Sequence, residues 1–348
     1  MPKTMRAAVV RELKTALKIE EVPVPEPKPG EVLIKVVACG VCHSDVHAVD
    51  GDWDPLPNLP LTPGHEAAGF VAACGAGVRT VKEGDAVGVP WMWSACLECE
   101  NCLSGDETIC TKGESTGYSM PGGYAEYLVA PATFVGRLPE KADMIGLAPV
   151  LCAGVTVYRG LKRTQARPGQ WAAVFGVGGL GHLAVQYAKA MGLRVAAVDI
   201  ADDKLQLASE LGADMVVNAK QADPVRTLKK QLAGGPHAAL VTTPASVAFD
   251  QAIRALRGAG SCSFIGMPGR DGDLVPISVN RLIGLELSLR GSSVGSRLDL
   301  AESIRFAAEG KVKVKVERQP LEAVNDVFGR MRRGEIVGRV VLDIASAG

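Results

Sequence analysis

Residues 171–199 have the sequence WAAVFGVGGLGHLAVQYAKAMGLRVAAVD, which predicts a strand, a glycine turn, a helix and a second strand. The apolar run at 171–175 is followed by Gly176, Gly178 and Gly181 in the spacing G-x-G-x-x-G. Glycines at this spacing permit a tight turn and let the backbone approach a pyrophosphate at the helix N-terminus. The stretch therefore predicts a βαβ unit of a parallel sheet that binds a dinucleotide.

Asp199 ends the second predicted strand, where an acidic residue can accept hydrogen bonds from an adenosine ribose. Its carboxylate would repel a 2′-phosphate, which favours NAD over NADP. Lys204 is a candidate second ribose contact, although a solvated surface lysine explains it equally well. The glycine pattern alone also fits an ordinary βα turn, so the prediction depends on the strand, helix and aspartate around it.

The rest of the chain shows two different sequence patterns. Short β-type runs and proline-rich turns dominate before about residue 150, whereas strands and helices alternate from residue 171 onward. The tail at 335–344, EIVGRVVLDI, predicts a strand that returns to the first part. The predicted fold class is therefore α/β, with a β-rich domain at 1–152 and 294–348 and a doubly wound parallel sheet at 153–293.

The composition is that of a globular protein with a substantial core. The chain has 348 residues, 47% of them hydrophobic, and Lys plus Arg equals Asp plus Glu at 38 each. This charge balance gives no reason to expect nucleic acid or an anionic membrane as a partner. No apolar run reaches transmembrane length, and the N-terminal residues lack a signal-peptide pattern, so we expect a cytoplasmic protein whose thiols stay reduced.

Four cysteines lie close together at Cys96, Cys99, Cys102 and Cys110, in a lobe at about 91–112. This spacing predicts a closed, tetrahedral, structural zinc site. An iron–sulfur cluster is the alternative, but the seven-residue gap before Cys110 and the absence of a following proline argue against it. A nucleic-acid-binding zinc module is disfavoured because residues 98–107 carry acidic and no basic side chains.

The chain resembles the zinc-dependent alcohol dehydrogenases of the medium-chain dehydrogenase/reductase family, in their yeast-like and bacterial tetrameric branch. The resemblance covers nearly the full length. It is carried by CHSDVHA at 42–48, GHEAAG at 64–69, the four-cysteine lobe, GVGGLG at 176–181 and IVGRVV at 336–341. It implies a GroES-like catalytic domain, a Rossmann domain and a second zinc site, in which Cys42, His65 and Cys152 hold a catalytic ion and leave one position open.

The resemblance also implies roles for residues near that second zinc. Ser44 would bind the substrate hydroxyl and pass its proton through the cofactor ribose toward His47, Asp45 would orient His65, and Glu66 would lie behind the metal. Further cofactor contacts are implied at His43, Thr156, Gly179, Leu180, Met267 and Arg339, beside the glycines, Asp199 and Lys204 named above.

Trp53, Trp91 and Met267 match positions that narrow the substrate pocket in the same branch, although a tryptophan at such a position can equally be plain core packing. Two residues depart from the yeast-like pattern. Ser44 replaces a threonine but keeps its hydroxyl, and Asp50 replaces a second histidine, which puts in doubt any relay that relies on that histidine.

The expected function is NAD-dependent oxidation of small primary alcohols to aldehydes, and the reverse, by hydride transfer from a zinc-bound alkoxide. The expected cofactors are NAD and two zinc ions per subunit, and the expected assembly is a homotetramer, with a dimer as the alternative. Three alternatives remain open: an NADP-dependent aldehyde reductase of the cinnamyl type, a non-catalytic zinc-stabilised homologue, and a zinc-free quinone reductase. The ligand set Cys42, His65 and Cys152 argues against the last.

Overall fold

The structure is a computed structural model that describes residues 2–268 and 274–345. The chain divides into two compact units. The first comprises Met1–Cys152, Ser296–Ala308 and Val314–Gly348, and the second comprises Ala153–Gly295 and Glu309–Lys313.

The described residues form these strands: β1 Thr4–Val9, β2 Lys18–Pro23, β3 Glu31–Val41, β4 Ala67–Cys74, β5 Ala86–Val89, β6 Met92–Ser94, β7 Glu114–Ser115, β8 Tyr127–Pro131, β9 Gly136–Arg137, β10 Trp171–Phe175, β11 Arg194–Asp199, β12 Met215–Asn218, β13 Ala238–Val241, β14 Ser261–Phe264, β15 Ser288–Gly291, β16 Val316–Pro320 and β17 Arg339–Asp343.

The α-helices are α1 His43–Asp50, α2 Glu100–Leu103, α3 Met144–Leu147, α4 Ala153–Thr164, α5 Gly181–Ala190, α6 Asp202–Glu210, α7 Pro224–Gln231, α8 Ser246–Ala255, α9 Val279–Gly284, α10 Arg297–Ala308 and α11 Val324–Arg332. Short 3₁₀ helices lie at Glu107–Ile109, Ala148–Leu151 and Leu321–Ala323.

The first unit is built on a seven-stranded sheet in the order β16-β17-β3-β4-β5-β9, with β8 also paired to β3. Its pairs are antiparallel except for β16 with β17. The tail strand β17 pairs with β3, which confirms the prediction that the end of the chain returns to the first part. Buried aliphatic side chains from β3, β4, β5 and β17 pack with Tyr124 and Phe328 in the core.

The second unit is a six-stranded, all-parallel sheet in the order β12-β11-β10-β13-β14-β15. Counted within the unit, this order is 3-2-1-4-5-6, the arrangement of dinucleotide-binding Rossmann sheets. Alanine and valine fill β10, β11 and β13 because parallel strands are covered on both faces. The predicted α/β fold class and the predicted βαβ unit at 171–199 are confirmed.

Helix α1 was not predicted. Its residues, HSDVHAVD, are poor helix formers, and the apolar periodicity is weak. The Asp45 carboxylate stabilises its start by accepting the Cys42 N–H at 2.9 Å. Gly51 ends it in the left-handed conformation, with φ of 66°. End effects and tertiary contacts therefore form this helix, rather than the propensity of its sequence.

No single helix among the described residues is long and apolar enough to cross a membrane; only Met144–Leu151 and Ala153–Thr164, taken together as a bent pair, reach the required length.

Gly69 in β4 provides a stability test of the first unit. A Cβ atom there would lie 2.1 Å from the Lys35 carbonyl oxygen on β3, and backbone cannot move aside cheaply. We expect Gly69→Ala to lower the free energy of unfolding by about 1–3 kcal/mol. Gly291→Ala is the control, since a Cβ there meets no atom within 4 Å. Guanidinium titrations followed by tryptophan fluorescence measure both; equal midpoints for the two variants would contradict the close approach of β3 and β4.

Candidate active site and metal centres

Four buried side chains from three separate segments converge in the first unit. Cys42 lies between β3 and α1, His65 and Glu66 immediately precede β4, and Cys152 follows the 3₁₀ helix Ala148–Leu151. The potential ligand atoms of these four residues all lie within 4.8 Å of one another. His65 Nε2 is 3.2 Å from Cys152 Sγ. Two thiols, an imidazole and a carboxylate in a buried cluster of this size suit a zinc ion.

The Asp45 carboxylate fixes the orientation of His65. Its Oδ1 atom lies 2.7 Å from His65 Nδ1 and also accepts the Gly64 N–H at 3.2 Å. Nδ1 is thereby occupied, so Nε2 is the nitrogen left for a metal. Burial favours a neutral His65, but the charge and hydrogen bond of Asp45 outweigh it and raise the pKa of His65 well above its ordinary value.

The two cysteine thiols of the cluster are electrostatically unequal. The pKa of Cys42 lies well below its usual value, first because the Cys152 thiol donates a hydrogen bond to it. The same hydrogen bond, together with burial, raises the pKa of Cys152 well above its usual value. Cys42 is therefore the more readily ionised of the two thiols, and a bound cation would favour the thiolate form of both.

Glu66 and Arg339 form a buried ion pair beside the cluster. Burial raises the pKa of Glu66 to about 7 against the opposing charge of Arg339. Glu66 Oε2 is buried and has no hydrogen-bond partner among the described residues. A Cβ at residue 40 would lie 1.8 Å from that oxygen, so only Gly40 leaves room for the carboxylate. The guanidinium of Arg339, expected at the cofactor, is thus directed to Glu66 in this structure.

Ser44 and His47 both project from α1. Ser44 Oγ is 3.7 Å from Cys42 Sγ, and both Ser44 and His47 are partly exposed, whereas His43 is exposed. His47 Nδ1 lies 2.7 Å from Asp52 Oδ2. Asp52 was not predicted, because its place five residues after His47 and just past Gly51 does not by itself mark it as a partner of that histidine.

Asp50 has a structural partner on another helix. Its carboxylate accepts hydrogen bonds from Arg332 on α11, the shortest at 2.8 Å. The residue that replaces a histidine of the yeast-like pattern therefore joins α1 to α11 through an ion pair.

Three aromatic rings pack together next to His65. The ring centroids of Trp53, Trp91 and Tyr118 lie 5.8–6.0 Å apart in pairs. Trp91 meets the edge of the His65 ring at right angles, with centroids 4.9 Å apart, and Trp53 lies 5.1 Å from His47. Sequence reasoning predicted the two tryptophans but missed Tyr118. Met267 follows β14 in the second unit and is 59% exposed.

The sulfur atoms of Cys96, Cys99, Cys102 and Cys110 form a second cluster, again within 4.8 Å. Leu97, with φ of 62°, turns the chain between the first two cysteines. Backbone N–H groups of Glu98 and Cys99 lower the pKa of Cys96 to about 6, which favours a thiolate ligand.

The lobe that carries these cysteines is tied to α10. The buried Glu107 carboxylate accepts hydrogen bonds from Arg297 Nε at 2.7 Å and from the Arg297 backbone N–H at 3.1 Å. The apolar side chains Leu103 and Ile109 are exposed. Coordination of a metal by the four thiolates would add a further constraint on this lobe.

The glycine turn of the second unit runs from β10 to α5. Gly176 has φ of 92°, and a Cβ on Gly181 would lie 1.8 Å from the Gly176 carbonyl oxygen, so both positions require glycine. A Cβ on Gly178 would meet nothing within 4 Å, so open space borders the turn there. Gly179 and Leu180 complete the turn, and Leu180 immediately precedes α5. This geometry suits the close approach of a phosphate.

Asp199 lies at the end of β11 next to this turn. Its carboxylate accepts the N–H groups of Val177 at 2.6 Å, Ile200 at 2.7 Å and Ala201 at 3.1 Å. Lys204 on α6 is partly exposed, and Thr156 is buried on α4. The structure therefore brings Asp199 to the glycine turn as the sequence predicted.

Comparison with known proteins gives consistent matches over the whole chain. Residues 28–140 match the family "Alcohol dehydrogenase GroES-like domain" and residues 179–309 match "Zinc-binding dehydrogenase". An alcohol dehydrogenase of Moraxella sp. (strain TAE123) is 53% identical, over 97% of this chain and 99% of that protein. One from Geobacillus stearothermophilus is 50% identical, over 98% and 100%. The crystal structure of an Aeropyrum pernix alcohol dehydrogenase aligns with a TM-score of 0.89 at 34% identity, covering 97% of this chain and 100% of that one.

Proposed function

Because the chain belongs to the zinc-binding, medium-chain alcohol dehydrogenase family, we propose that it is a zinc- and NAD-dependent enzyme that interconverts small primary alcohols and aldehydes. The observation that carries this proposal is the buried convergence of Cys42, His65 and Cys152 within 4.8 Å. A Cys₂His ligand set leaves one of four tetrahedral positions for substrate, and known alcohol dehydrogenases hold their catalytic zinc with the same ligand set.

The donor chemistry of the cluster fits zinc. Zinc held by these residues supplies a Lewis acid that makes an alcohol hydroxyl more acidic and polarises an aldehyde carbonyl. Asp45 keeps His65 in the required orientation, and two thiolates balance the charge of a divalent ion. Glu66 and Arg339 compensate each other behind the ligands, so they add little net charge to the site.

Residues of α1 are proposed to handle the proton. Oxidation of a primary alcohol transfers a hydride from carbon to the nicotinamide and releases the hydroxyl proton. Ser44, 3.7 Å from Cys42 Sγ, would bind the substrate hydroxyl and accept that proton, and His47 on the same helix would receive it on its way to solvent. Asp52 is hydrogen-bonded to Nδ1 of His47, so Nε2 is the nitrogen left to receive a proton.

Dinucleotide binding is assigned to the second unit. The open space at Gly178 accommodates the pyrophosphate, and Asp199 accepts hydrogen bonds from the adenosine ribose. The charge of Asp199, fixed by backbone N–H groups from two sides, disfavours a 2′-phosphate and therefore NADP. Lys204, Thr156, His43 and Met267 are proposed as further cofactor contacts, whereas the guanidinium of Arg339 pairs with Glu66.

The substrate class follows from the aromatic rings. Trp91 packs at right angles against the His65 ring, and Trp53 and Tyr118 pack against Trp91, so bulky aromatic side chains border the ligand cluster. Such walls favour small linear alcohols over wide ones. Met267 is proposed as a further wall of this pocket. The four-cysteine lobe is proposed to hold a second, structural zinc ion, and the protein to act as a cytoplasmic homotetramer.

The first experiment is a turnover assay with purified protein, ethanol and NAD, followed by the absorbance of reduced nicotinamide. We expect turnover that a strong zinc chelator abolishes and that added Zn²⁺ restores. Failure of a zinc-replete protein to oxidise any small primary alcohol with NAD would contradict the proposal. Turnover with NADP alone would instead favour an NADP-dependent aldehyde reductase, and turnover that no chelator affects would favour a zinc-free reductase.

Asp199→Gly tests the choice of cofactor. The Asp199 carboxylate and the 2′-phosphate of NADP would repel each other, and such a like-charge contact costs several kcal/mol of binding free energy. Removing the carboxylate removes this repulsion. We expect the ratio of kcat/KM for NADP to that for NAD to rise by roughly 10²-fold or more. Asp199→Asn is the matched variant, since it removes the charge but keeps an acceptor oxygen. An unchanged ratio in both variants would show that Asp199 does not select the cofactor.

The two metal centres should respond differently to loss of one cysteine. We expect Cys42→Ala to lower turnover by roughly 10³-fold or more while leaving the fold largely intact. Cys99→Ala should lower the melting temperature by roughly 5–10 °C, because the lobe is held by its metal. Metal analysis should give one zinc per subunit in each variant.

Cys262→Ala is the control for that comparison, since Cys262 is buried in β14 and belongs to neither cluster. It should retain two zinc ions per subunit. Undiminished stability of Cys99→Ala would overturn the structural role of the four-cysteine site.

A further inference from the structure

Tyr124 is a fully buried residue that contacts the segment carrying His65. Its exposed fraction is 0%, and it lies just before β8. Its backbone N–H donates to the Pro63 carbonyl at 3.0 Å, and its carbonyl accepts the Ala8 N–H at 2.8 Å. Its ring packs directly on Gly64, since a Cβ at Gly64 would lie 2.5 Å from Tyr124 Cδ1. The position of the ring is therefore fixed by backbone and by packing.

The hydroxyl of this ring donates a hydrogen bond to Asp45 Oδ2 at 2.8 Å. The only other donor to Oδ2 in the described part of the chain is the Cys42 N–H, at 2.9 Å. The other carboxylate oxygen, Oδ1, accepts the Gly64 N–H and is hydrogen-bonded to His65 Nδ1. Tyr124 therefore hydrogen-bonds one oxygen of the Asp45 carboxylate, while the other oxygen hydrogen-bonds His65, a proposed metal ligand.

A tyrosine at a wholly buried position needs a reason. Phenylalanine would fill the same space without a polar group that must find a partner after leaving water. Burial and the Asp45 charge raise the pKa of Tyr124 well above its usual value, so the hydroxyl stays protonated and remains a donor. Its hydrogen bond is to a charged acceptor, the stronger class of such bonds.

We propose that Tyr124 is a positioning residue for the Cys42–His65–Cys152 metal centre, and that through Asp45 it slows the loss of the bound ion. The proposal rests on the proposed function, because it assumes that the centre holds zinc. The hydroxyl fixes the rotation of the Asp45 carboxylate. That carboxylate in turn fixes the ring of His65 and the start of α1, where Cys42 lies.

The expected change in the rate of zinc release can be judged from what is typical of residues that hydrogen-bond metal ligands. Changing a group that orients a metal-bound histidine typically costs 10–100-fold in metal affinity. Tyr124 acts one step further out, yet it supplies one of the two hydrogen bonds to Oδ2. We therefore expect Tyr124→Phe to speed zinc release from this centre by about 10-fold.

The experiment compares zinc release from the intact holoenzyme and from Tyr124→Phe, using a chromogenic chelator in excess. The ring is retained, so packing on Gly64 should be preserved. The four-cysteine lobe serves as an internal reference, because its ion should leave at the same rate in both proteins. Cys42→Ala, which should carry the lobe ion alone, identifies which kinetic phase belongs to which centre.

Tyr118→Phe is the matched control, since the Tyr118 hydroxyl donates at 2.7 Å to the Pro55 carbonyl rather than to Asp45. It should release zinc at the wild-type rates. The visible spectrum of the Co²⁺-substituted protein gives a second readout: Tyr124→Phe should shift the bands of the Cys42–His65–Cys152 centre, and Tyr118→Phe should not.

Selective acceleration of the non-lobe phase in Tyr124→Phe, with an altered cobalt spectrum, supports the proposal. Equal acceleration of both phases would show general loosening and would overturn it, as would wild-type rates in both phases. A wild-type protein that binds no zinc at the Cys42 centre overturns the proposed function as well, so the two failures are distinguishable.

Discussion

A single buried carboxylate, that of Asp45, fixes the geometry on which the candidate active site depends. A carboxylate withdrawn from water is stable only when donors surround it. Here the donors come from the start of α1, from the Gly64–His65 segment and from the segment before β8, so satisfying one charge aligns three separate pieces of chain. Asp45 also stabilises the N-terminus of a helix whose sequence is a weak helix former.

Close packing around the ligand cluster requires glycine at two positions that take no part in the chemistry. Gly64 adopts φ of 99° and lies against the Tyr124 ring, while Gly40 leaves space for the Glu66 carboxylate. Any side chain at either position would displace a group that touches the ligand cluster. The buried pair of Glu66 and Arg339 carries a similar requirement, because removing either partner would leave an uncompensated charge in the interior.

The two clusters of the first unit lie in different surroundings. The four cysteines of the lobe are close in sequence, all but Cys102 are only partly buried, and the segment around them exposes apolar side chains such as Leu103 and Ile109. Cys42, His65 and Cys152 instead rest on a core that is already packed, with an aromatic wall on one side. These surroundings match the proposal that a metal in the lobe would contribute to folding and one in the buried cluster to chemistry.

Sequence alone determined the features that depend on local spacing. The glycine turn, the alternation of strands and helices at 171–199, the four-cysteine lobe and the returning tail strand are readable because a few neighbouring residues specify each. Family resemblance added Cys42, His65 and Cys152, which lie up to 110 residues apart.

Only the tertiary structure decided which side chains contact these groups. Tyr124 hydrogen-bonds Asp45, 79 residues away, and Arg339 pairs with Glu66, 273 residues away. Tyr118 lies against Trp53, 65 residues away. Even Asp52, near His47 in the chain, was recognisable only once α1 and Gly51 had formed the turn that joins them. Such pairings follow from how strands and helices pack, and no periodicity in the chain records them.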